Sequence, residues 1–160
     1  AMKLTLVAVG RPRGAIAEAT AAYEQRLRRY YAFEAVEVRE EPARRGGDLA
    51  RVREEEGERL LTGVPAGAQI VALHREGATW RSEKLAAYLE ELALRSSPGV
   101  ALLIGGAYGL ADSVLRRANV QLSLSGFTLP HELARLVLTE QLYRAGTISR
   151  GEPYHKAPAP

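Results

Sequence analysis

The chain has 160 residues, 46% hydrophobic and 26% charged, which is enough for one globular domain with its own core. Its 22 basic and 19 acidic side chains leave a formal charge of +3, which permits a polyanionic partner but falls far short of a histone-like binder. With 0 cysteines, disulfides and thiolate nucleophiles are excluded; His74, His131 and His155 are too scattered to suggest a metal site, and no apolar run approaches the roughly 18 residues of a membrane span.

The elements alternate along the chain. Residues 4–9 ("LTLVAV") form a short apolar run bounded by Gly10 and Pro12, which predicts a buried strand. Ile16, Ala19, Tyr23, Leu27 and Tyr30 recur at three and four and place a helix next. Residues 33–38 ("FEAVEV") alternate like a half-exposed strand, and residues 39–47 read as a mobile charged loop. Asp48 is placed to cap a helix whose thin stripe of Leu49, Val52, Leu60 and Leu61 predicts a mostly solvated element. Residues 69–73 ("QIVAL") are a further buried strand, Ser82 is placed to cap a helix carrying Leu85, Leu89 and Leu92, and residues 100–104 ("VALLI") are the most apolar strand. Counting residues 120–124, five strands joined by helical crossovers predict an α/β fold with a mostly parallel sheet and helices on both faces. One domain over residues 2–156 and a frayed, disordered tail at 157–160 ("APAP") are expected, and with no leader-like apolar stretch, a cytoplasmic location.

In open parallel sheets ligands collect beyond the carboxyl ends of the strands, and three places compete there. The first, "GRPRG" at residues 10–14, lacks a dinucleotide fingerprint and reads as a plain turn or an RNA-facing loop. The second, "GGAYG" at 105–109, follows the most buried strand, and its adjacent glycines let the backbone turn sharply and approach a ligand. It has no P-loop Lys-Ser/Thr, which disfavours a nucleoside triphosphate. The third lies between Leu124 and Pro130, where the chain enters a helix whose Leu133, Leu136, Val137, Leu138, Leu142 and Tyr143 wrap around most of its circumference. Such a helix is buried on more than one side, and a second subunit could supply one of them. Pro130 suits its first turn, and Thr128 and His131 serve either as local caps or as members of a site.

"LLIGGAYG", then "LSLSGFTLPHELARLVLTEQLYRA", then "PYHK" resemble the RlmH family of bacterial SPOUT methyltransferases. The likeness runs from Met2 to Lys156 and takes in "MKLTLVAVG" and "EGERLL". It implies a C-terminal trefoil knot, a homodimer, no DNA or membrane partner, and methyl transfer from S-adenosylmethionine to N3 of a pseudouridine in 23S ribosomal RNA on the ribosome. A related knotted RNA methyltransferase with another base or ribose target, and a non-catalytic ribosome-binding or assembly protein, are the alternatives.

By the same resemblance the cofactor lies among Leu73, Gly105, Leu124, Ser125, Gly126, Phe127, Thr128 and Leu129, with Gly126 and Phe127 contributing backbone only. Apolar walls from Leu73, Leu124 and Leu129 suit the faces of an adenine. The target imide nitrogen must lose a proton, and His131, Arg144, Tyr154 and His155 are the candidates for taking it, relaying it or stabilising the anion. Arginine is a poor base, so Arg144 is assigned to anion or RNA binding, and Tyr154 to stacking on an extruded base. Gly146 stands where the family pattern calls for a larger side chain.

Overall fold

The computed structural model describes residues 2–44 and 47–156, the side chains of His155 and Lys156 excepted. The expected tail at 157–160 lies outside the described residues, as do Arg45 and Gly46 of the expected mobile loop. Five strands, β1 (Lys3–Val9), β2 (Ala32–Val38), β3 (Gln69–Thr79), β4 (Gly99–Ile104) and β5 (Val120–Ser123), form one sheet in the order β2-β1-β4-β3-β5. Every pairing is parallel. β4 is buried along its whole length and β1 beyond Lys3, which is why both read as apolar runs, broken in β1 only by the buried Thr5, whereas β2 at one edge keeps its alternation.

Five helices cover the two faces: α1 (Gly14–Leu27), α2 (Leu49–Thr62), α3 (Ser82–Leu94), α4 (Asp112–Arg117) and α5 (His131–Ser149). Leu6 and Leu102 pack with Leu27 of α1, Leu89 of α3, and Leu138 and Leu142 of α5; Val7 and Leu103 pack on the opposite face with Leu60 of α2 and Val114 of α4. No described helix is long and apolar enough to cross a membrane.

Several local expectations change. Asp48 does cap α2, accepting from the Arg51 N–H at 3.1 Å. That helix is less solvated than its stripe suggests, since Val52, Glu56, Gly57 and Leu60 are buried. A Cβ on Gly57 would come within 2.9 Å of Val114 Cγ2, so glycine lets α2 press onto α4. The segment after β2 is anchored: Glu41 pairs with Arg51 at 2.9 Å and Arg59 at 2.6 Å. In α1 only Leu27 of the apolar stripe is fully buried, with Tyr23 and Tyr30 packed partly buried against the core, while Thr20 and Glu24 are buried beside it, Glu24 held inward by Arg135 of α5. Ser82 is not a cap; its hydroxyl donates to Gln141 Oε1 at 2.6 Å and ties α3 to α5. Pro130 occupies the cap position of α5 rather than its first turn.

β3 runs further than residues 69–73. Leu73 and Ala78 both lie opposite Leu122 of β5, so residues 74–77 are extruded between them at the carboxyl end of the sheet. Gly77 permits this, since a Cβ there would lie 2.6 Å from the Gln121 carbonyl.

Candidate cofactor cleft

Residues 105–109 leave the buried end of β4 as a tight turn closed by a bridge between Gly106 and Gly109. Gly105 faces the turn itself: a Cβ would sit 2.8 Å from the Gly109 carbonyl, so a side chain is refused by backbone and not by a ligand. Gly109, at φ +85°, has nothing within 4 Å of where a Cβ would stand and opens toward solvent. Behind the turn, Gly106 lies against Glu56, whose carboxylate oxygens would be 3.0 and 3.2 Å from an added Cβ. Glu56 is buried; its Oε2 accepts from the Glu41 N–H at 3.1 Å while its Oε1 has no partner. Burial raises its pKa against the opposing effect of that hydrogen bond, and Glu40 adds to the rise.

The segment after β5 folds over the same edge. Ser123 donates its hydroxyl to the Ser125 carbonyl at 3.1 Å, and the Ser125 hydroxyl accepts the Phe127 N–H at 2.9 Å. Arg75 of the extruded segment donates to Thr128 Oγ1 at 3.3 Å. Between this segment, residues 73–75 and the glycine turn lies a cleft of about 840 Å³. Leu73, Gly105, Leu124, Ser125, Phe127, Thr128, Leu129 and His131 all line it, with Ile104, Leu110 and Leu115 completing apolar walls. Gly126 does not line it. A smaller hollow of about 380 Å³ shares Ser123 and Leu124 but is bounded by Trp80, Arg81 and Gln141, with no backbone turn to read a ligand.

This cleft fits S-adenosylmethionine. Its size falls within the range of about 300–1,000 Å³ usual for small-molecule sites, it joins apolar walls to a few convergent polar groups, and it sits at the carboxyl edge of the strands.

The remaining candidates gather elsewhere. Arg144 and Tyr154 meet at Glu140, whose Oε2 accepts from the Arg144 guanidinium at 2.9 Å and from the Tyr154 hydroxyl at 2.8 Å. Tyr154 sits in a 3-10 turn (Pro153–Lys156), its ring edge-on to Tyr143 at 4.7 Å with the Arg144 guanidinium 5.0 Å from its centroid. Burial, then bonds to Glu140 and Tyr23, push the Tyr154 phenol above its ordinary range, so it stays protonated. Burial opposes the charge on Arg144, but Glu140 outweighs it and its pKa is raised. His155 lies in the same turn, its side chain outside the described atoms. Arg144 is 13 residues along α5 from His131, about 20 Å at 1.5 Å per residue, so the cleft and this cluster lie apart within one chain.

Gly146 also finds its reason here: a Cβ would fall 2.5 Å from the Tyr30 ring, which fills the space a larger residue would take. Sequence reasoning missed Glu140, Glu56, and the cleft residues His74, Arg53, Arg75 and Tyr108. Three of these lay within stretches already singled out, Glu56 in "EGERLL", Tyr108 in "GGAYG" and Glu140 in the α5 stretch, whereas His74, Arg53 and Arg75 had no local signal.

The fold is a parallel α/β sheet with a cofactor-sized cleft at its carboxyl edge, as in a methyltransferase domain, and the family described as "Predicted SPOUT methyltransferase" matches residues 2–155: the chain belongs to that family. Among its relatives, a Gemmatimonas aurantiaca protein named "Ribosomal RNA large subunit methyltransferase H" is 50% identical over 157 residues, covering 97% of this chain and 100% of the relative. A Rubrobacter xylanophilus protein of the same name is 51% identical, covering 96% and 98%. Among solved structures, a Legionella pneumophila protein assigned as a methyltransferase, in complex with the bound cofactor SAM, shares the fold with a TM-score of 0.51 at 16% identity, covering 90% of this chain and 66% of that one.

Proposed function

We propose that the protein methylates N3 of a pseudouridine in 23S ribosomal RNA, using S-adenosylmethionine, as a single domain over residues 2–156 with its C-terminal segment threaded as a trefoil knot. The observation that carries this reading is the cleft of about 840 Å³ bounded by the glycine turn and residues 123–131, in a chain about half identical over nearly its whole length to proteins named for this class of reaction. The bound cofactor supplies an activated methyl group with a neutral leaving group, so the protein's task is alignment and removal of the imide proton.

Leu73, Leu124 and Leu129 would supply apolar walls for the adenine, while the main chain of residues 105–109 and 123–128 would offer hydrogen-bond groups to it. His131 stands at the cleft, its Nε2 4.0 Å from Glu40. The Arg144–Glu140–Tyr154 cluster is neutral overall, since Glu140 meets the Arg144 charge at 2.9 Å, and the guanidinium N–H groups not bound to Glu140 are suited to an RNA phosphate or to the deprotonated imide. Because that cluster lies about 20 Å along α5 from the cleft of its own chain, the reading requires a homodimer in which one protomer's tail serves the partner's cleft. Half-buried Leu136 and Val137 and the 36% exposed Leu133 on α5 support such a contact.

Isothermal titration with S-adenosylmethionine tests the cofactor assignment. Saturable binding is expected; absence of binding heat would favour a ribosome-binding protein without catalysis.

A further inference from the structure

Four side chains at the mouth of the cleft have no part in the cofactor reading. Phe127 is 85% exposed, although its backbone is fixed by the Ser125 hydroxyl at 2.9 Å. Tyr108 of the glycine turn is 44% exposed and lines the same cleft. Arg53 and Arg75 line it too. Among the described residues Arg53 has no ion pair, and the one side-chain hydrogen bond of Arg75 is to Thr128 Oγ1 at 3.3 Å.

A lone exposed ring is ordinary, but Phe127 and Tyr108 stand together with two arginines around the mouth of one cleft, a grouping that marks a surface for a partner. The cofactor is a poor match. S-adenosylmethionine has one carboxylate against a sulfonium and an ammonium, and two guanidiniums beside it add repulsion. A single strand of RNA matches on both counts, since every base has a face that stacks on an aromatic ring and every linkage carries a negative charge.

We infer that Phe127, Tyr108, Arg53 and Arg75 form a substrate rim over the cofactor cleft, on which a base flanking the target nucleotide stacks against Phe127 while the two arginines hold phosphates of the same strand. The inference rests on the function proposed above. It gives the Phe127 side chain a role, where the resemblance gave that residue backbone contacts only.

The test uses full-length Phe127→Ala, Phe127→Trp, Arg53→Gln and Arg75→Gln. Cofactor affinity is measured by titration, methyl transfer with ribosomes lacking the modification, subunit assembly by sedimentation, and binding of a single-stranded oligoribonucleotide by fluorescence anisotropy. Phe127→Ala is expected to keep cofactor affinity within about threefold and to lower kcat/KM for ribosomes about 5- to 100-fold, with Phe127→Trp restoring it. Each arginine variant should weaken oligoribonucleotide binding and make its log–log salt dependence shallower by about 0.7. Loss of cofactor affinity in the arginine variants that matches their loss of transfer would make them cofactor ligands and overturn the rim. So would unchanged ribosome kinetics in Phe127→Ala, or its dissociation to monomers, which would make Phe127 a subunit contact. Failure of the functional reading is separate: the wild type would then bind no cofactor or transfer no methyl, while the oligoribonucleotide arm still reports on the rim.

Discussion

The glycine turn works through two contacts that are easily confused. Gly105 is required by the Gly109 carbonyl, 2.8 Å from where its Cβ would be, whereas Gly109 needs glycine for its φ of +85°. Gly105→Ala should therefore deform the turn, costing about 1–3 kcal/mol by overpacking, and should weaken cofactor binding at least tenfold. Gly109→Ala should cost only about 1–2 kcal/mol of backbone strain, with smaller loss of affinity. Chemical denaturation alongside titration separates the two. Behind the turn, Glu56 has a raised pKa, chiefly through burial. A carboxyl that holds its proton more tightly when folded favours folding at low pH, and this preference is lost as pH climbs from the ordinary carboxyl range toward the raised value. Glu56→Gln should melt higher than wild type at pH 8 and converge with it below about pH 4. A fixed offset at all pH values would contradict this account. The turn was legible in "GGAYG", but the separate reasons for its glycines were not, because they depend on neighbours met only after folding.

At the scale of elements, α5 is fastened by charge as well as by leucines. Arg135, 5% exposed, donates to Glu24 at 2.9 Å and to Glu37 at 2.7 Å, linking α5 to α1 and β2. Arg135→Ala would strand the Glu24 carboxylate, and urea unfolding should show a loss of about 3–5 kcal/mol. The pattern of α5 announces its apolar circumference; it cannot announce partners 111 and 98 residues away. The tail behaves differently. Tyr154 is held on α5 by Glu140 and Tyr143, packed partly buried against the rim of the core. Removing residues 154–160 should leave cofactor affinity and dimerisation nearly intact while methyl transfer falls about 100-fold or more, the scale of losing a proton-transfer group. A truncated enzyme with normal turnover would return attention to His131.

For the whole molecule, alternation of apolar strands and amphipathic helices was enough to read a parallel sheet covered on both faces. The order β2-β1-β4-β3-β5 was not readable, since nothing local tells β1 that its neighbour is β4. The extrusion of residues 74–77, which brings Arg75 to the cleft, was equally hidden because it depends on pairing with β5. The proposed homodimer rests on the separation within one chain of the cleft and the Arg144 cluster. If that dimer forms through α5, Leu136→Glu should convert it to folded monomers, visible by sedimentation with unchanged circular dichroism, and abolish methyl transfer. Full activity in such a monomer would place both halves of the site in one chain.

The central claim is best tested with purified protein, S-adenosylmethionine carrying a labelled methyl group, and ribosomes from cells lacking the gene, followed by mass spectrometry of the digested RNA. The account predicts one labelled methyl per ribosome, at N3 of a single pseudouridine in 23S RNA. Label on a ribose, on another base, or on no nucleotide at all would contradict it.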